Sequence, residues 1–291
     1  MWPKKIKINF KKTEEVFFRV LTFLSTCLII LILLLLIYGI FHKGLPSLSW
    51  EMLTSTPKGG FYFGKEGGIV NAIIGSLYLS IGAVFLALII SLPVALFMNI
   101  HLKRRKKLLN TIRFFLDLLW GVPSIVYGAF GFSIMIAFGW KTSLLAGIIT
   151  ISMFIIPIMI RGMDEVLKTV PLGLFESTLS LGATNNNAAF GVIVKQCIPG
   201  IVTAILLSFG RAIGDAAAVL FTTGFTDRIP NSLFQPSASL PLSIFFQISS
   251  PIPEVKNRAY AAAVVLTLII LIISILSRYF TGKFKRNSIK F

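Results

Sequence analysis

Between residues 20 and 41 the chain carries no charged side chain at all, and the run is long enough to cross a hydrocarbon core as a single helix. Inside lipid every backbone N–H and C=O must be satisfied within the protein, so only helices and closed barrels can span. The run is continuously apolar rather than alternating, which selects helix over strand. Comparable segments follow at 68–100, about 111–138, 142–160, about 198–223 and 259–280. The expectation is therefore an all-α polytopic membrane protein with six transmembrane helices. A hydrophobic share of 55% against 13% charged residues agrees with that class and not with a soluble domain.

The net charge of +17 invites a nucleic-acid reading. Its distribution argues otherwise. Lys4, Lys5, Lys7, Lys11 and Lys12 precede the first span, an unbroken KRRKK run fills 103–107, and Lys283, Lys285 and Arg286 follow the last. Cations just beyond apolar segments obey the positive-inside rule. This predicts a multi-pass membrane protein with both termini cytoplasmic, membrane lipid as a partner and no nucleic acid. The division that follows is a basic arm at 1–19, then a first span and outside loop at 20–67. A core of five spans occupies 68–280, with a cytoplasmic segment at 161–199, and a basic tail covers 281–291. The first apolar run is too long for the core of a cleaved signal peptide and reads as a retained helix.

Chemistry is hard to find in this chain. Cys27 and Cys197 are far apart and lack metal-ligand spacing, and His42 and His101 fall at span ends with no nucleophile beside them. No catalytic residue, metal or bound cofactor is expected. Gly59, Gly64 and Lys65 fit the spacing of a phosphate-binding loop. However, Glu66 stands where a serine or threonine would hold magnesium, and the flanks are aromatic. ATP binding by this chain is rejected.

Two stretches carry the functional expectation. In 161–199, Pro171 precedes a helical run from Leu172 to Leu181, and Gly182 separates it from a second short run leading to Pro199. Two short helices meeting at a glycine make a protruding knuckle, with Glu176 on its first arm. In the fifth span, Arg211 and Asp215 stand four residues apart on what reads as one helical face, close enough to pair. An intramembrane charge costs about 3 kcal/mol even on insertion scales, so such a residue marks a pathway by default. The expectation is that Arg211 offers its planar fork to an oxyanion while Asp215 orients it. Arg161 is placed at the inner mouth of the same path, with a positive-inside anchor as the equally weighted alternative. Asp117 is expected to cap or pair at the interface.

Glu176-Ser-Thr followed after three residues by Gly182-Ala-Thr resembles the coupling loop of ABC importer permeases, with Ser177 and Thr178 where the family pattern has alanines. GVPSIVYGAFG at 121–131, RAIGDAAAVLFTTG at 211–224 and ASLPLSIFFQISSP at 238–251 resemble phosphate importer permeases, of the PstA type more than the PstC type. The family usually has glutamate where Asp215 stands. The resemblance implies a type I ABC importer permease fold in a bacterial cytoplasmic (inner) membrane, with Glu176 and Gly182 coupling to an ATPase. It also implies a PstC-like permease as heterodimer partner, a PstB-like ATPase dimer that alone binds ATP and magnesium, and a PstS-like phosphate receptor outside. A permease for sulfate, molybdate or tungstate, and an autonomous ion-coupled transporter, are the alternative readings.

Overall fold

A computed structural model describes residues 10–58 and 66–285. Apart from one two-stranded ribbon, β1 (Pro57–Lys58) with β2 (Glu66–Gly67), its regular elements are helical. In order they are α1 (Phe10–Gly44), α2 (Trp50–Thr54), α3 (Val70–Ile100), α4 (Lys106–Gly121), α5 (Ser124–Ala137) and α6 (Leu144–Lys168). Then come α7 (Leu172–Ser180), α8 (Asn185–Ala188), α9 (Val194–Gly214), α10 (Leu240–Gln247) and α11 (Pro253–Lys285). The rejected phosphate-loop spacing at Gly59, Gly64 and Lys65 lies outside the described residues.

The centre is the pair α3 and α6. Along α3, Ala83, Ala87, Ser91 and Ala95 recur every fourth residue and are all fully buried. In lipid no hydrophobic effect draws two helices together, and a stripe of small residues lets backbones approach until dispersion and hydrogen bonds hold them. Three side-chain bonds fix the pairing at successive heights. Ser152 Oγ donates to the Ala83 carbonyl (3.2 Å), Ser91 Oγ to that of Ile156 (3.4 Å), and Asn99 Nδ2 to Asp164 Oδ1 (2.9 Å). The partners advance together along both helices, so α3 and α6 run parallel, and the chain between them must travel back the length of the core.

It does so through α4 and α5, where the expected single span at 111–138 is corrected to two helices bent by 94°. The cause is local. Pro123 has no N–H and pushes the preceding residue out of helical backbone, and Val122 is accordingly extended at ψ 129. Tyr127 Oη donates to the Leu119 carbonyl at 2.9 Å, closing the corner.

Two more boundaries are corrected. α6 continues beyond Ile160 to Lys168, so Arg161, Asp164 and Glu165 belong to its last turns and not to a loop. The fifth span was expected to run to Thr223, but α9 ends at Gly214. Asp215 is extended and its Oδ1 accepts from the Ala218 N–H at 2.8 Å, a local bond that competes with the helical ladder. The following segment to Ser239 is irregular yet packed. Its carbonyls at Thr222, Gln235 and Leu233 receive the N–H groups of Ser143, Leu144 and Leu145, satisfying donors at the head of α6 that no helix can satisfy itself. The outside loop expected at 225–258 therefore contains core. Ala238, Leu240 and Leu242 are fully buried, and Leu240 N–H donates to Ser76 Oγ at 2.7 Å.

α1 stands apart, with its apolar residues exposed along most of its length. It meets α11 at Gly44, where any Cβ would collide with the Tyr260 backbone and the Val264 side chain.

Candidate functional site

Arg211 lies in the last turn of α9 and is exposed on the chain's own surface. Its guanidinium sits 4.9 Å from the ring centre of Phe154, which is buried on α6. Phe154 in turn meets Tyr127 of α5 edge-on at 5.6 Å. A cation over an aromatic face is held electrostatically while its in-plane donors stay available. Phe154 is ten residues into α6, roughly 15 Å from its start at 1.5 Å per residue, which sets Arg211 near mid-depth. The expected pairing with Asp215 is not found. α9 ends between the two residues, Asp215 caps the backbone, and among the described residues no ion pair joins it to Arg211. Instead Ser208 stands one turn before Arg211, buried, with its hydroxyl unpartnered among the described residues. Thr222 and Thr223, in the irregular segment that continues from Gly214, also bury hydroxyls without a partner among the described residues. Irregular backbone and unpaired hydroxyls at membrane depth are tolerated only where they line a polar path or protein interior. Sequence reasoning missed these three hydroxyls, since serine and threonine are common in apolar helices and carry no pattern of their own.

A knuckle forms at Gly182, but its second arm is not the separate short run expected up to Pro199: α8 passes through a π-helical turn at Ala189–Ile193 straight into α9, so Asn185–Gly214 is one continuous helical stretch with Pro199 inside it. α7 closes with Gly182 N–H bonded to the Leu179 carbonyl (2.9 Å) and Ala183 N–H to that of Thr178 (3.3 Å), the paired bonds of a Schellman motif. That motif needs a left-handed residue, and Gly182 has φ +84. Thr184 then caps α8, its hydroxyl accepting from Asn187 N–H at 3.3 Å. The Gly-Ala-Thr sequence thus ends one helix and starts the next within three residues. Ser177 and Thr178 cost the helix little, because both hydroxyls donate to the Leu174 carbonyl. Glu176 is exposed on the same knuckle as Gly182, and Leu181 at the tip is 89% exposed.

Arg161 belongs to neither place. Its guanidinium is committed to carboxylates: Asp117 at 2.6 Å, Asp164 at 2.8 Å and Glu165 at 3.4 Å. Asp164 has no exposure and also takes Arg113 in a two-point grip of 2.9 Å per bond, with Lys168 at 3.2 Å. Asp117 therefore pairs, as its place in the sequence suggested. The cluster ties the foot of α6 to α3 through Asn99 and to α4 through Arg113 and Asp117. Arg113 and Asp164 lie 51 residues apart, so spacing gave no hint of it.

Comparison with known proteins follows the same lines. Residues 91–286 match the family model described as the inner membrane component of binding-protein-dependent transport systems. Among similar proteins is the phosphate transport system permease protein PstA of Yersinia pestis, 33% identical over 87% of this chain and 85% of that protein. Another is the protein of the same name from Haemophilus influenzae, 28% identical over 95% and 97%. Bacillus subtilis YqgI, a probable ABC transporter permease, is 26% identical over 88% and 91%. Of solved structures, an inward-facing MetNI methionine ABC transporter superposes with a TM-score of 0.62 over 74% of this chain and 95% of that one, at 18% identity. That likeness concerns the fold.

Proposed function

The chain belongs to the family of inner membrane components of binding-protein-dependent transport systems, and on that premise we propose that it is the membrane subunit of an ATP-driven importer of inorganic phosphate. The observation that carries the substrate is the agreement of relatives spanning almost the whole chain, named as phosphate transport permeases. The geometry supplies a reason for it. Arg211 presents a planar, always-charged fork near mid-depth, on a face that this chain leaves uncovered. A second permease, PstC-like, would close that face and turn it into a path. Ser208, one turn from Arg211, would add a hydroxyl donor to a tetrahedral anion.

The knuckle of α7 and α8 would seat in an ATPase partner, PstB-like and present as a pair, with Leu181 as anchor and Glu176 beside it. ATP and magnesium belong to that partner, and a PstS-like receptor would deliver phosphate from outside. Differential binding of ATP to two arrangements of the assembly would drive alternating access. Arg161, braced among carboxylates, would hold the inner ends of α4 and α6 together rather than touch the anion.

The test is uptake of labelled phosphate into vesicles containing the chain and its partner subunits, with and without ATP, against excess sulfate, molybdate or tungstate. ATP-dependent uptake that those anions do not suppress is expected. Arg211→Lys keeps the charge but loses the fork, and uptake should fall about tenfold or more, the equivalent of one charge-assisted bond. ATP-independent uptake, or competition by another oxyanion, would overturn the reading.

A further inference from the structure

At the end of the α3 and α6 pair that bears the basic run, a cavity of about 330 Å³ opens between the link from α3 to α4, the foot of α6, and α7. Small-molecule sites span about 300–1,000 Å³, so this one suits a compact ligand. Its polar lining is Asn99, Lys103, Lys106, Asn110, Arg113 and Lys168, with no carboxylate among the lining residues. Two of the four cations are already neutralised. Arg113 and Lys168, together with Arg161, are balanced by Asp117, Asp164 and Glu165 in the cluster described above. Lys103 and Lys106 are not, and neither has an ion-pair partner among the described residues. Lys106 also opens α4, whose N-cap residue, Arg105, supplies no side-chain cap. The first-turn N–H groups thus add partial positive charge at the cavity rim.

We propose that this cavity binds the phosphate group of a small anion, either free inorganic phosphate or the headgroup of an anionic phospholipid. Two uncompensated ammonium groups match a ligand carrying one or two negative charges, and Asn110 offers a neutral donor beside them. Lysines act here as point charges that suit a phosphate approached from several directions. The apolar part of the wall includes Leu167 and, from the knuckle's first helix, Phe175. An occupant therefore touches the foot of the central pair and the coupling element at once. The site is separate from Arg211: Phe154 and Lys168 are fourteen residues apart on α6, roughly 20 Å along the axis. The inference rests on the cavity alone and does not need the phosphate importer reading.

The experiment uses the full chain with its co-purifying partners in nanodiscs, in an Arg211→Gln background that removes the mid-depth guanidinium. One arm measures binding of labelled inorganic phosphate in phosphatidylcholine discs. The other measures phosphatidylglycerol retained from mixed discs by native mass spectrometry. In one arm, Lys103→Gln with Lys106→Gln should weaken binding or retention about tenfold or more, as loss of charge-assisted bonds requires, while Lys103→Arg with Lys106→Arg stays close to the parent. The arm that responds identifies the source of the phosphate group. No binding in either arm, binding indifferent to the glutamine pair, or equal loss in the arginine pair would overturn the proposal. Phosphate binding that the parent shows and Arg211→Gln alone abolishes, with no lysine-dependent retention of phosphatidylglycerol, would also overturn it, while leaving the importer reading standing.

Discussion

Asp164 and Asp227 show opposite ways of burying a carboxylate. Asp164 is fully enclosed and answered by Arg113, Arg161, Lys168 and Asn99, so its charge is compensated on every side. Removing one member of such a buried set leaves the others uncompensated, at about 3–5 kcal/mol. Asp164→Asn is therefore expected to lower the unfolding midpoint of the purified protein sharply, and an unchanged midpoint would show that the cations find other partners. Asp227 lies in the segment between α9 and α10, with Oδ1 buried and unpartnered among the described residues. Burial pushes its carboxyl above the usual carboxylate range. A raised folded value means that folding favours the protonated form. Its stabilisation is complete below the unfolded value of about 3.9 and is lost as pH rises through the folded one. Asp227→Asn should thus match the parent at low pH and exceed it in thermal stability at neutral pH. A variant less stable than the parent at pH 7 would show that the ionised carboxylate has a partner. Neither carboxylate was readable as buried beforehand, because burial here is decided by residues tens of positions away.

At the level of elements, composition was a good guide to what crosses the membrane and a poor one to where helices stop. The apolar run at 68–100 became α3 with a small boundary change, and that at 259–280 forms the middle of a longer α11, which begins at Pro253 and ends at Lys285. The corner at Pro123 and the end of α9 at Gly214 went unread, since hydropathy averages over a break that leaves both sides apolar. The knuckle was legible for the complementary reason. Its turn depends on one glycine and one capping threonine, which are local signals. Gly182→Ala tests that account. Nothing lies within 4 Å of an added Cβ, so the only penalty is the left-handed backbone at φ +84, about 1–2 kcal/mol. The expected outcome is a global unfolding midpoint lowered by no more than a few degrees, together with weaker capture of the ATPase partner. Equal capture by the variant would mean that the turn's conformation is not what the partner reads.

For the whole molecule, the parallel run of α3 and α6 decides the number of crossings. Five helices are long and apolar enough to span alone, and the bent pair α4 and α5 either makes a sixth crossing or dips and returns. Asn99 near the end of α3 bonds Asp164 near the end of α6, while Ser76 near the start of α3 bonds Leu240, beside the segment that closes the head of α6. The heads of both helices therefore share one side. A chain leaving Ile100 at the foot and reaching Leu144 at the head has crossed, however sharply it bends at Pro123. α9 returns from the foot, where the Cys197 thiol lies 3.8 Å from the Val166 carbonyl, and α11 descends from the head, where its Ala261 and Ala262 pack with Ala72 of α3. With α1 reaching the head at Gly44, six crossings would put the start of α1 and the end of α11 at the foot, the side of the KRRKK run. Single cysteines in place of Lys106 and Lys141 should then react with a membrane-impermeant maleimide from opposite faces of sealed vesicles. Labelling of both from one face would make α4 and α5 a re-entrant hairpin, and the parallel pairing of α3 and α6 could not survive that result.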